Sequence, residues 1–122
     1  MSKILIIDDH PDIRRLVRLT LEFEDHQIME AVDGRIGLEA ARQWKPDIVL
    51  LDVMMPGMDG LETCRRLKAE PALAHTRVVL LTARGSSADR SAGLAAGADE
   101  YVVKPFSPLT LLQLVDQLGV SA

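Results

Sequence analysis

The sequence predicts an α/β domain built on a doubly wound parallel sheet. Three observations carry this. Short apolar runs recur at Ile4–Ile7, Ile48–Leu51, Arg77–Leu81 and Tyr101–Val103. They are too short for helices and suit strands buried on both faces. Each run delivers a polar group at its carboxyl end: Asp8-Asp9, Asp52, Thr82 and Lys104 in turn. Between them lie segments that read as helices, so strand and helix alternate along the chain.

The elements follow in order. Lys3–Ile7 is the first strand. Pro11 suits the first turn of a helix, with Asp9 or His10 as its cap. Ile13, Leu16, Val17, Thr20 and Leu21 keep the three-and-four spacing of that helix. Gln27–Ala31 is the second strand, Asp33-Gly34 a turn, and Ile36 to Trp44 the second helix. Pro46 disfavours helix at Lys45 and ends it. The third strand ends in Asp52, and Met55-Pro56-Gly57-Met58-Asp59-Gly60 stops regular structure there. A third helix runs from about Leu61 to Ala69, with Leu61, Cys64 and Leu67 inward and Pro71 at its end. Arg77–Leu81 is the fourth strand. The fourth helix lies within Ser87–Ala96 and is weak, because it is mostly alanine and serine and contains Gly93. Glu100–Val103 is the fifth strand. Pro108 starts the fifth helix, which carries Leu111, Leu112, Leu114, Val115 and Leu118.

The second strand, Gln27-Ile28-Met29-Glu30-Ala31, is the least apolar and delivers no polar group at its end. Both facts suit an edge. Right-handed crossovers limit the strand order to a few choices, and a second strand at the edge favours 2-1-3-4-5, with the switch point between strands one and three. Asp8, Asp9 and Asp52 converge in that crevice, and Thr82 and Lys104 flank them.

Composition narrows the function. A chain of 122 residues, 48% hydrophobic and 26% charged, fits one globular domain spanning residues 1–122. A formal net charge of −4 argues against a nucleic-acid-binding module. No apolar run approaches a membrane span. Ile4–Ile7 is too short for a signal peptide, and Asp8-Asp9 interrupts it. The single cysteine, Cys64, allows no internal disulfide and no cysteine metal cage. A reducing cytoplasm is the expected location.

Three carboxylates packed together repel one another unless a proton or a cation joins them. All-oxygen ligands point to a hard ion, Mg²⁺ first. Mg²⁺ beside an aspartate suggests phosphoryl transfer, with the carboxylate as nucleophile. Lys104 adds positive charge, and the Thr82 hydroxyl offers a hydrogen bond to a phosphoryl oxygen.

These residues carry a resemblance. Ile6-Ile7-Asp8-Asp9, the stretch from Pro46-Asp47 through Asp52 to Asp59-Gly60, Leu81-Thr82-Ala83, and Gly97-Ala98-Asp99-Glu100-Tyr101-Val102-Val103-Lys104-Pro105-Phe106 resemble the receiver domain of two-component response regulators. The resemblance covers essentially the whole chain. It implies the flavodoxin-like (βα)5 fold and a Mg²⁺-dependent phospho-acceptor rather than an enzyme with an external substrate. Asp52 would take a phosphoryl group from a phosphohistidine of a sensor histidine kinase or phosphotransfer protein. Asp8, Asp9, Asp52 and the Met54 carbonyl would hold Mg²⁺, and Lys104 would bind the phosphoryl group. Thr82 and Tyr101 would form the switch, and Lys104-Pro105 would be cis. The face made by helix four, strand five and helix five would bind an unidentified downstream protein or a second copy of the chain. The chain ends after helix five, so no DNA-binding output domain is expected in it. Helix five also lacks the basic residues that dimerising winged-helix regulators commonly carry. Met54 and Arg84 are expected to flank the site and shield it from water.

Plainer readings compete at single positions. Asp9 alone is most often a helix cap, Asp59 a structural turn residue, and Tyr101 an ordinary strand residue. His10 is expected to be exposed rather than a ligand, Cys64 to lie in the core, and Trp44 to pack at the end of helix two. Two other functions share parts of the pattern. A haloacid-dehalogenase-type phosphatase needs a second aspartate two residues after its nucleophile, and Met54 stands there. A flavin carrier of this topology needs a phosphate loop after strand one, where Asp8-Asp9-His10-Pro11 would repel phosphate.

Overall fold

A computed structural model describes residues 2–54, 59–83 and 85–120. Met55, Pro56, Gly57 and Met58 of the expected loop, and Arg84, lie outside the described residues. The elements are β1 (Lys3–Ile7), α1 (Pro11–Leu21), β2 (Gln27–Ala31), α2 (Gly34–Trp44), β3 (Ile48–Asp52), α3 (Gly60–Ala69), β4 (Arg77–Thr82), α4 (Ser87–Ala95), β5 (Glu100–Val103) and α5 (Pro108–Val120). A 3-10 turn, Pro71–Leu73, follows α3 and seals Leu73 into the core.

All strand pairs are parallel, and the order is β2-β1-β3-β4-β5. The expected topology is therefore the observed one, with the least apolar strand at an edge. Period-two alternation sorts the strand side chains onto two faces. Ile4, Ile6, Ile48, Leu50, Val79 and Leu81 face α1 and α5, where Val17, Leu21, Leu111 and Val115 meet them. Leu5, Ile7, Val49, Leu51, Val78 and Leu80 form the other core with α2 and α3. Cys64 and Leu67 are buried there, and Leu61 and Trp44 pack at its margin.

Local chemistry starts the helices. The Asp33 carboxylate accepts the Ile36 N–H at 2.8 Å, so the expected turn at Asp33-Gly34 is the cap of α2. Asp59 caps α3 in the same way, accepting the Glu62 N–H at 2.9 Å, which bears out its structural reading. Ser86 caps α4 by accepting the Asp89 N–H at 3.1 Å. Lys45 ends α2 in the left-handed region, φ 52°, and its N–H bonds to the Ala41 carbonyl. At α1 the cap position falls to His10, which makes no side-chain cap bond. Asp9 therefore does not cap this helix.

Candidate functional site

The carboxyl ends of β1 and β3 lie side by side because the chain turns outward to β2 from one and to β4 from the other. That places Asp8 and Asp52 in one crevice, each only 2% exposed. Asp9 joins them from the start of the following loop, its side chain 29% exposed. Lys104 reaches across from the end of β5. Its Nζ lies 3.6 Å from Asp8 Oδ2 and 3.7 Å from Asp52 Oδ1. The Lys104–Pro105 peptide is cis. Thr82 ends β4 fully buried, and its carbonyl accepts the Lys104 N–H at 2.7 Å. The expected carboxylates, lysine and threonine thus converge.

Charge in the crevice is unbalanced. Burial pushes the Asp52 carboxyl above its ordinary range. The Met54 N–H, donating to Asp52 Oδ1 at 3.1 Å, pulls it down, the Asp8 charge pushes it up, and Lys104 pulls it down again. Among the described residues, Asp8 Oδ2, Asp9 Oδ1 and Asp52 Oδ2 are buried without a hydrogen-bond donor. A buried polar group left unsatisfied costs about 1–3 kcal/mol, more when charged. A hard divalent cation shared by these oxygens would remove that cost, so the residues present fit such an ion. His10 also faces the cluster. Its ring is 59% exposed, as expected, yet Nδ1 lies 3.0 Å from Asp8 Oδ1, 3.1 Å from Asp9 Oδ1 and 3.6 Å from Asp52 Oδ2. The hydrogen bond to Asp8 and the charge of Asp9 raise the His10 pKa above its ordinary value.

Tyr101 lies inward, 6% exposed, and packs with Leu80 against Gly93. Two cationic partners of the site were missed from the sequence. The Arg90 guanidinium lies 5.2 Å from the Tyr101 ring centre, and its Nη1 donates to the Tyr101 carbonyl at 3.3 Å. Arg14 Nη1 donates to the Asp8 carbonyl at 2.7 Å, and its Nε donates to Glu30 on β2. The signal for Arg14 was available: Arg14 and Arg18 share a helix face by their spacing of four, and Glu30 is the one acid of the edge strand beside them. Nothing local marks Arg90. Beside Lys104 opens an apolar cleft of about 380 Å³ lined by Ile13, Leu16, Ala83, Pro105 and Phe106. Met54 is 46% exposed at the lip of the site. No described helix is long and apolar enough to cross a membrane.

Comparison with known proteins agrees with this geometry. The family model of the response regulator receiver domain matches residues 4–116. The transcriptional regulatory protein ResD of Bacillus subtilis is 44% identical over 117 residues, covering 96% of this chain and 48% of ResD. Response regulator PleD of Caulobacter vibrioides is 42% identical over 117 residues, covering 96% of this chain and 26% of PleD. The chain thus spans half or less of the length of these relatives. Among solved structures, chemotaxis protein CheY4 of Vibrio cholerae superposes with a TM-score of 0.91 at 34% identity, covering 97% of this chain and 98% of CheY4. The BeF3-activated DrrB receiver domain gives 0.89 at 33% identity, with 98% of each chain covered. Half the chain or more matching a family model, together with an acidic crevice at the expected switch point, leads to one conclusion: this chain belongs to the response regulator receiver domain family.

Proposed function

We propose that Asp52 accepts a phosphoryl group from a phosphohistidine of a sensor histidine kinase or phosphotransfer protein, in a Mg²⁺-dependent reaction. The observation that carries this is the buried Asp52 carboxylate, with one oxygen lacking a hydrogen-bond donor among the described residues and Lys104 Nζ 3.7 Å from the other. Asp8, Asp9, Asp52 and the Met54 carbonyl would hold the ion, which supplies charge neutralisation for the incoming phosphoryl oxygens. An Asp52 oxygen attacks phosphorus, the phosphorus–nitrogen bond breaks, and its electron pair leaves with the imidazole. Lys104 binds the transferred group, and the Thr82 hydroxyl donates to one of its oxygens. The apolar cleft beside Lys104 gives the donor protein a surface to sit on while its histidine reaches in. The chain acts on no other substrate: it catalyses only its own phosphorylation and dephosphorylation, in the cytoplasm.

The signal then leaves through α4, β5 and α5. Thr82 moves toward the phosphoryl group, and Tyr101, packed on Gly93, follows the space this opens or closes. Leu94 and Leu109 are 50% and 64% exposed and make this face sticky for a downstream protein or a second copy. Phosphorylation shifts an existing equilibrium between two forms of the face. Incubation with Mg²⁺ and acetyl phosphate should add one acid-stable, base-labile phosphoryl group. Labelling of Asp52→Asn at the wild-type rate would reject the assignment. With beryllofluoride, changes in hydrogen exchange should concentrate in residues 82–106; changes confined to Asp8, Asp9 and Asp52 would reject the output face.

A further inference from the structure

We propose that His10 is a nitrogen ligand of the cation site, and that it gives this receiver a preference for borderline divalent 3d ions such as Co²⁺, Ni²⁺ or Zn²⁺ over Mg²⁺. The inference rests on the cation site argued above and concerns which ion the site selects. Asp8, Asp9, His10 and Asp52 each bring one ligand atom, and these atoms all lie within 4.8 Å of one another. Two ligands at right angles around an ion with bonds of about 2.1 Å stand about 3.0 Å apart. His10 Nδ1 stands 3.0 Å from Asp8 Oδ1 and 3.1 Å from Asp9 Oδ1.

A hydrogen bond alone does not account for this arrangement. Asp8 Oδ1 already accepts the His10 backbone N–H at 2.8 Å. One N–H on Nδ1 cannot also serve Asp9 Oδ1 and Asp52 Oδ2, and those two buried oxygens have no donor among the described residues. One lone pair directed at an ion that all of them share serves every group at once. The ring Nδ1 rests against Asp8 Oδ1, and among the four residues of the cluster it is the only nitrogen ligand atom. Carboxylates alone suit Mg²⁺ and Mn²⁺, whereas imidazole suits the later 3d ions such as Ni²⁺ and Zn²⁺. A second acidic cluster with a histidine among the described residues, Glu24, His26 and Asp116, behaves differently. There His26 Nδ1 accepts the Ser2 N–H at 3.2 Å, so the neutral ring keeps its hydrogen on Nε2 and has no lone pair to offer that cluster.

The test uses the full chain at about pH 8. Pulsed electron paramagnetic resonance of bound Mn²⁺ should show a nitrogen coupling from a directly bound imidazole, and the coupling should vanish in His10→Ala. Calorimetry should find the ratio of Co²⁺ to Mg²⁺ affinity reduced at least about tenfold in both His10→Ala and His10→Gln, since even outer partners of metal ligands are worth that much. The ring is largely exposed and makes no cap bond, so both variants should fold, which a thermal melt checks. Absence of nitrogen coupling in the wild type overturns the proposal, and so does an unchanged affinity ratio. In either case Mg²⁺ binding that survives shows that the cation site itself stands. If the wild type binds none of these ions, the cation site and this proposal fall together.

Discussion

Gly93→Ala should push Tyr101 outward at a measurable cost in stability. A Cβ at position 93 would lie 2.7 Å from Tyr101 Cδ2 and 2.9 Å from both Tyr101 Cε2 and Leu80 Cδ1. Carbon atoms pack at about 3.5–4.0 Å, so the new methyl is too close by roughly 0.6 Å or more. Leu80 is fully buried in the central sheet and has nowhere to go. Tyr101 is at the edge of the core, with the Arg90 guanidinium over its ring, and can yield. Alanine in a helix interior gains about 1 kcal/mol over glycine. Overpacking costs about 1–3 kcal/mol. The balance is a loss of about 1 kcal/mol, or about 4 °C in Tm for a domain of this size. Tyr101 is the only tyrosine, so fluorotyrosine labelling gives a single ¹⁹F resonance that reports its ring alone. The expected result is a lower Tm and a resonance shifted toward its solvent-exposed position. A variant that is more stable by about 1 kcal/mol, with an unmoved resonance, would refute the reasoning, because helix propensity would then have outweighed the clash.

Three further outcomes are expected. In Gly60→Ala the Cβ would press on the Asp52 carbonyl oxygen and lie 2.5 Å from Val53 Cα, both backbone, so urea denaturation should show a loss of about 1–3 kcal/mol and labelling at Asp52 should fall; wild-type stability would contradict this close approach. Met54→Ala should change stability by no more than about 0.5 kcal/mol, since the side chain is half exposed, yet speed loss of the phosphoryl group by admitting water; an unchanged half-life would remove the shielding role. Burial pushes the Cys64 thiol from 9.0 up to about 11, with its Sγ 3.6 Å from the Ala96 carbonyl. A raised folded pKa means that stability is intact below pH 9 and is lost as pH climbs toward 11. The loss should approach roughly 3 kcal/mol. The difference in stability between wild type and Cys64→Ala should narrow over that window, and a constant difference would count against it.

The order of elements, the sheet topology and the carboxylate cluster were legible in the sequence for a simple reason. Each depends on patterns a few residues long. An apolar run of four or five ended by aspartate says both that a strand is buried and where its polar end emerges. The polar strand Gln27–Ala31 says which strand is at the edge. Once the order is known, Asp8, Asp9 and Asp52 have to meet. Other features depend on contacts between elements rather than on a pattern within one. Whether Nδ1 of His10 points into the cluster is decided by a torsion that the backbone bond to Asp8 and the neighbouring carboxylates select. Tyr101 lies inward because Gly93, eight residues earlier and on another element, leaves it room, and Arg90 covers it from the same helix. Gly60 reads as a loop glycine, but its lack of a side chain is needed by the backbone of Asp52 and Val53. Periodicity determined which residues are buried; side-chain direction and close contact were decided only when distant segments packed, because those energies depend on distances that no local pattern contains.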